Sequence, residues 1–190
     1  MSVRRIALFG GTFDPIHEGH LQVAAEARQR FGLDEVRFLP CQVSPHKIGI
    51  RSAPAQDRLE MVRLAIRDLP WAVVDDHDLT AAQPAYSWRT AEEMARRFPG
   101  AELFWLMGAD QWRALPRWQH PERLAARVEF LVSSRCGVPE PHPEWRMHPL
   151  AVDHPASSTA IRQALADGAQ PPWLPPEVAA HIARRGLYKG

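Results

Sequence analysis

The sequence predicts an α/β fold, a doubly wound parallel sheet of five to six strands (Rossmann-like) built as a single domain over residues 1–190. Three observations predict it. Short apolar runs of strand type alternate with segments whose apolar residues recur at helical spacing. The first such run turns through a glycine pair straight into a helix, the start of a strand–helix–strand unit that joins parallel strands right-handedly. And 190 residues suffice for one substantial core, with no repeat, low-complexity tract or linker to divide them.

Taken in order, residues 5–9 read as a buried strand. A helix over 18–31 follows, with Leu21, Ala24, Ala25, Arg28 and Phe31 on a mainly apolar stripe and Gly32 as its stop. The second strand, 36–39, ends at Pro40. Residues 40–47 then read Pro-Cys-Gln-Val-Ser-Pro-His-Lys, an extended loop made positive by Lys47 and Arg51; composition alone makes it a solvated connector. Leu59, Val62, Ile66 and Leu69 mark a second crossover helix over 55–69, and 71–74 a third strand. The run Asp75-Asp76-His77-Asp78 could be read as a metal site. Adjacent strand residues point to alternate sides, however, so a solvated strand end fits better.

A third helix runs to about residue 98 with Ser87 as N-cap, and the wholly apolar run 103–107 is a central fourth strand. A short helix over 122–127 and a fifth strand over 128–132, ending near Arg135, come next. Residues 137–155 are proline-rich, with His142, His148 and His154 too unevenly spaced for a zinc cluster. They read as irregular loop with a short sixth strand around Leu150. Hydroxyl residues at 157–159 open another helix. After a stiff connector over 171–176, a helix over 177–185 turns Val178 and Ile182 inward.

Composition narrows the function classes. A net charge of +1 with both signs interspersed argues against a broad nucleic-acid-binding surface. No apolar run approaches a membrane span, and the chain enters its first strand without the features of a signal peptide. Cys41 and Cys136 are too few for a disulfide framework and lack C-x-x-C spacing, which suits reduced thiols in a cytoplasmic protein. Seven tryptophans leave some to line a ligand site as well as fill core.

The chemistry concentrates in Ile-Ala-Leu-Phe-Gly-Gly-Thr-Phe-Asp-Pro-Ile-His-Glu-Gly-His-Leu, residues 6–21. Glycines let backbone approach a bulky anion, and N–H groups at a helix start attract negative charge. His17 and His20 project from one face of that first turn, an arrangement suited to a polyphosphate under attack. Ser157-Ser158-Thr159-Ala160-Ile161-Arg162 repeats the physics: hydroxyls at a helix start, and an arginine able to grip phosphate bidentately. Alone, that string is an ordinary capped helix.

These residues carry a resemblance. Thr12-x-x-x-x-His17-x-Gly19-His20 and Ser157-Ser158-Thr159-x-Ile161-Arg162 resemble, in order, the two signatures of the nucleotidylyltransferase superfamily. The fuller string from Gly10 to Leu21, and Gly108-Ala109-Asp110 followed by Leu115-Pro116-Arg117-Trp118, resemble the nicotinate-mononucleotide adenylyltransferase family. The resemblance implies strand order 3-2-1-4-5, with the site where the winding reverses. It implies transfer of AMP from ATP to nicotinate mononucleotide, with Mg²⁺ held mainly by the ATP phosphates.

The implied catalytic residues are His17, His20, Lys47 and Arg162. Gly10, Gly11, Thr12, Phe13, Gly108, Asp110, Ser158 and Thr159 would bind ATP. His46, Tyr86, Ser87, Trp112, Trp118 and Arg135 would bind the second substrate, Trp112 being as well suited to core as to ligand. Three positions depart from the family pattern: Ser44 replaces a proline, Ala81 an arginine and Arg89 an aspartate. Rival readings are phosphopantetheine or nicotinamide mononucleotide as acceptor, an aminoacyl-tRNA synthetase (for which the chain is too short), and a nucleotide sensor without turnover. Neither nucleic acid nor membrane is an expected partner.

Overall fold

The structure, a computed structural model, describes residues 3–42, 52–135 and 137–189. The expected phosphate contacts His46 and Lys47, with Ser44, Arg51 and Cys136, lie outside the described residues.

In chain order the elements are β1 (Arg5–Gly11), α1 (Glu18–Phe31), β2 (Glu35–Pro40), α2 (Ala55–Ile66), β3 (Ala72–Val74), α3 (His77–Thr80) and α4 (Ser87–Arg97). β4 (Glu102–Gly108), α5 (Ala109–Ala114), a 3-10 turn (Leu115–Arg117), α6 (Pro121–Ala125), β5 (Glu129–Ser134), β6 (Met147–Ala151), α7 (Ser158–Ala166) and α8 (Pro176–Arg185) complete it. The six strands lie in the order β3-β2-β1-β4-β5-β6, every neighbouring pair parallel. β1 therefore stands between β2 and β4, where the winding reverses. Its last residues, Gly10 and Gly11, lie beside Leu39 and Pro40 at the carboxyl edge of the sheet.

Alternation along β1 assigns each face its core. Ala7 and Phe9 join Val36, Phe38 and Phe104 under the apolar sides of α1, α2 and α8, with Ala24, Met61, Val62, Val178 and Ile182 all buried. Ile6 and Leu8 join Leu39, Trp105, Met107 and Phe130 under Ala91 and Met94 of α4. α1 ends where Gly32 adopts φ 57°, its N–H returning to the Arg28 carbonyl, the left-handed stop that glycine permits most cheaply. The buried line of that helix runs through Ala24 and Ala27, with Ala25 and Arg28 outside it.

Two local readings need correction. Asp75 to Asp78 is no solvated strand end: α3 begins at His77, and Asp75 and Asp78 are buried. Arg37 and Arg97 reach Asp75 Oδ2 at 2.8 and 3.1 Å, neutralising a charge that burial alone would penalise. Ser87 lies inside the first turn of α4, whose cap position is Tyr86.

Candidate active site

The carboxyl edge of the sheet opens into a cleft of about 1360 Å³. Its floor at β1 is Gly10, Gly11, Thr12 and Phe13, with His17 and His20 beside them. Gly108 and Asp110 border it from β4, Tyr86 and Ser87 from the start of α4, and Ser158 and Thr159 from α7. Trp118 and Arg135 also line it. The two signature strings, distant in sequence, thus face one space.

Local folding at β1 explains the glycines. Phe13 sits at φ 48°, a strained backbone that recurs at functional sites, and its ring covers Gly11. A Cβ on Gly11 would stand 3.0 Å from that ring. Phe13 then presents its edge to the His20 ring at 5.2 Å. The His17 N–H donates to His20 Nδ1 at 3.3 Å, and the two imidazoles stack with centroids 3.8 Å apart. His17 is 6 % exposed and its Nδ1 has no hydrogen-bond partner among the described residues. Burial first, then the nearby His154 and Arg135, bring its pKa down to about 4, so the ring is neutral at physiological pH. The start of α1 is less open than its sequence suggests, because the Glu18 N–H donates to the Trp173 carbonyl at 2.9 Å.

The second signature braces the first. Ser157 caps α7, its hydroxyl accepting from the Ala160 N–H at 3.5 Å. Ser158 Oγ donates to the Pro15 carbonyl at 3.0 Å, and Arg162 Nη1 donates to the Asp14 carbonyl at 2.7 Å. Arg162 is not among the residues that line the cleft: its guanidinium donates to the Asp14 carbonyl and to the hydroxyl of Thr159, which does line it. Trp112 is corrected. It is 5 % exposed, packs on Phe130, and donates its indole N–H to the Glu140 carbonyl at 2.8 Å, so it is core. Asp110 is exposed and leans over Gly108, where a Cβ would stand 2.7 Å from its Oδ1. Arg89 lies outside the cleft lining, its guanidinium over the Tyr86 and Trp88 rings at 5.3 and 5.1 Å.

Several residues around the site escape sequence reasoning. Arg58, 1 % exposed on α2, donates to the carbonyls of Thr12, Cys41, Gln42 and Ala53, tying the ends of β1 and β2 together. Its one signal is spacing: it lies four residues before the inward Val62. Asp14 accepts at Oδ1 from the Tyr188 hydroxyl at 2.6 Å and the Ala53 N–H at 3.1 Å, contacts no local pattern announces. Asp78 lines the cleft, accepting from the Thr90 hydroxyl at 2.7 Å. Burial pushes its carboxyl up to about 6. His154, read as loop, also lines the cleft. Among the described residues no three acidic, His or Cys side chains converge as metal ligands, and no helix is long and apolar enough to cross a membrane.

A cytidylyltransferase-like family model matches residues 8–164. A probable nicotinate-nucleotide adenylyltransferase of Solibacter usitatus is 41% identical, the match covering 97% of this chain and 99% of the relative. The same-named protein of Thermus thermophilus is 38% identical over 97% of this chain and 100% of its own. Among solved structures, Plasmodium falciparum nicotinic acid mononucleotide adenylyltransferase complexed with NaAD superposes with a TM-score of 0.80 at 16% identity, covering 97% of both chains. That likeness speaks for the fold. Relatives sharing nearly their full length, with both signature strings turned into one cleft, place this chain in the nicotinate-nucleotide adenylyltransferase family.

Proposed function

We propose that this protein transfers AMP from MgATP to nicotinate mononucleotide, giving nicotinate adenine dinucleotide and pyrophosphate in NAD biosynthesis, and that it works in the cytoplasm. The observation that carries the reading is the joining of the two signatures: Ser158 to Pro15, and Arg162 to Asp14, across 143 and 148 residues.

A phosphate monoester oxygen of the mononucleotide attacks the α-phosphorus in line. Its new P–O bond forms as the bond to pyrophosphate breaks, and no proton need move, because the monoester is already anionic near neutrality. The protein's task is alignment and neutralisation of spreading charge. His17 and His20 would donate to α- and β-phosphate oxygens, with Ser158 and Thr159 towards the far phosphates and Arg135 towards the second substrate. Gly10, Gly11, Thr12, Phe13 and Gly108 allow close approach of the nucleotide, and Asp110 would accept from ribose hydroxyls. Tyr86, Ser87 and Trp118 would receive the pyridine ring and its carboxylate. The family pattern adds His46 and Lys47 at the substrate phosphates, while Arg162 positions Asp14.

Mg²⁺ enters as part of MgATP and supplies charge neutralisation on the leaving pyrophosphate. A small hard ion that keeps several waters would be carried by the ATP phosphates, and Asp14, which accepts from Tyr188 and Ala53, is held in place beside them. The test is pyrophosphate release with nicotinate mononucleotide, nicotinamide mononucleotide and phosphopantetheine in parallel. The acid should turn over fastest by at least tenfold. Equal rates for the two mononucleotides would overturn acid specificity, and ATP binding without any product would favour a sensor.

A further inference from the structure

His154 sits in the connection between β6 and α7, a segment that neither signature string includes and that the mechanism above leaves unused. It nevertheless belongs to the same cleft as His17, Ser158 and Thr159. Its ring is held from several sides. The Ala156 N–H donates to its Nδ1 at 3.1 Å. The Trp173 ring meets it edge to face at 5.0 Å, and the carbonyl of that tryptophan caps the first N–H of α1. The flanking chain is pinned as well: the Val152 N–H donates to the Ser134 carbonyl at 3.1 Å, and Arg135 Nη2 donates to the Ala156 carbonyl at 2.5 Å.

Two consequences follow from this bracing. With Nδ1 filled by a backbone donor, the ring proton belongs on Nε2, which leaves that atom a hydrogen-bond donor and the ring no competing acceptor. The ring is also close to the first signature. The Cβ that Gly19 lacks would stand 3.1 Å from His154 Nδ1 and 3.1 Å from His17 Nδ1. A side chain at position 19 would press on both imidazoles, and each would have to give by a few tenths of an ångström.

Resting on the adenylyl-transfer reading, we propose that His154 is a third imidazole of the triphosphate site, donating from Nε2 to the β- or γ-phosphate of ATP. It lines the cleft with Ser158 and Thr159, the residues assigned to the far phosphates, and shares the Gly19 turn of the first signature with His17. Its contribution goes to the part of ATP that leaves, so ligands ending at the α-phosphate do not feel it.

Isosteric replacement separates this role from simple loop bracing. Asparagine at 154 can still accept from the Ala156 N–H in the manner of Nδ1 but cannot reach the position of Nε2. Glutamine places an N–H near Nε2 and gives up the brace. Calorimetric titration of wild type, His154→Asn and His154→Gln with MgATP and with AMP, without any second substrate, reads the two roles apart. The expected result is about tenfold weaker MgATP binding in His154→Asn, with AMP affinity within twofold of wild type and His154→Gln recovering to within threefold for MgATP. Equal weakening for MgATP and AMP, unchanged MgATP binding in His154→Asn, or a His154→Gln weaker than His154→Asn would each overturn the proposal. Melting temperature, recorded for each variant, identifies any loss that comes from unfolding. Because no acceptor is present, a failure of nicotinate mononucleotide as substrate would leave this outcome readable.

Discussion

His20 is the residue on which the proposed chemistry turns. Its ring is set by the His17 N–H, by stacking on His17 and by the edge of Phe13, so it needs little reorganisation to meet a phosphate. His20→Ala should keep the fold and lower kcat by 10²–10³, about 3–4 kcal/mol of transition-state stabilisation. A circular-dichroism spectrum and a pyrophosphate-release rate check both halves, and a rate above a tenth of wild type would dismiss the role. Two other residues set the pH response of the fold. Holding His17 at about 4 lends stability that is complete above 6.5 and lost as pH falls towards 4, about 3 kcal/mol at most. Asp78 acts in the opposite sense: with its carboxyl at about 6, ionisation weighs against the fold at neutral pH, and that cost fades as pH falls towards 3.8. Asp78→Asn should therefore be about 2 kcal/mol more stable than wild type at pH 8 and no more stable at pH 4. Urea denaturation at both values decides it.

At the scale of elements, α1 shows what sequence can and cannot disclose. Its limits, residues 18–31, are legible because Gly32 supplies a left-handed stop and the histidine motif marks the start. What local pattern does not disclose is that Trp173 would take the first N–H of the helix, or that His154 would share Gly19 with His17. Both partners lie more than a hundred residues away. Likewise Asp75 and Asp78 read as a solvated strand end because adjacent strand residues point to alternate sides and cannot converge on a metal, whereas Arg37, Arg97 and Thr90 arrive from β2 and α4 to make burial tolerable. Gly19→Ala tests the crowding. Alanine favours helix by up to about 1 kcal/mol, yet its methyl would meet both imidazoles, so helicity should persist while kcat falls at least tenfold. Wild-type turnover in that variant would show that the rings have room.

Across the whole molecule, parallel order and the place of the cleft follow from alternating strands and helices, and strand order followed from family resemblance. Residues that line the cleft from signature strings were legible for the same reason. Those that brace it were not: Arg58, Asp14 and Tyr188 owe their roles to contacts between remote segments, and Trp112, as well suited to core as to ligand in the sequence, is settled as core by Phe130 and Glu140. Asp57 belongs with them, fastening α8 to α2 through His181 at 2.9 Å and Arg185 at 2.8 Å. Tyr188→Phe removes one donor from Asp14 while leaving the Ala53 N–H in place. It should cost about 1.5–3 kcal/mol, measurable as a lower urea midpoint with an unchanged slope. Asp14 thus gathers residue 53, residue 162 and residue 188 onto a motif laid down near residue 14. During synthesis, the ribosome will have released every strand of the sheet before the tyrosine arrives. A nascent chain should therefore become competent to hold ATP late, when Tyr188 clears the exit tunnel, rather than when its histidines first emerge.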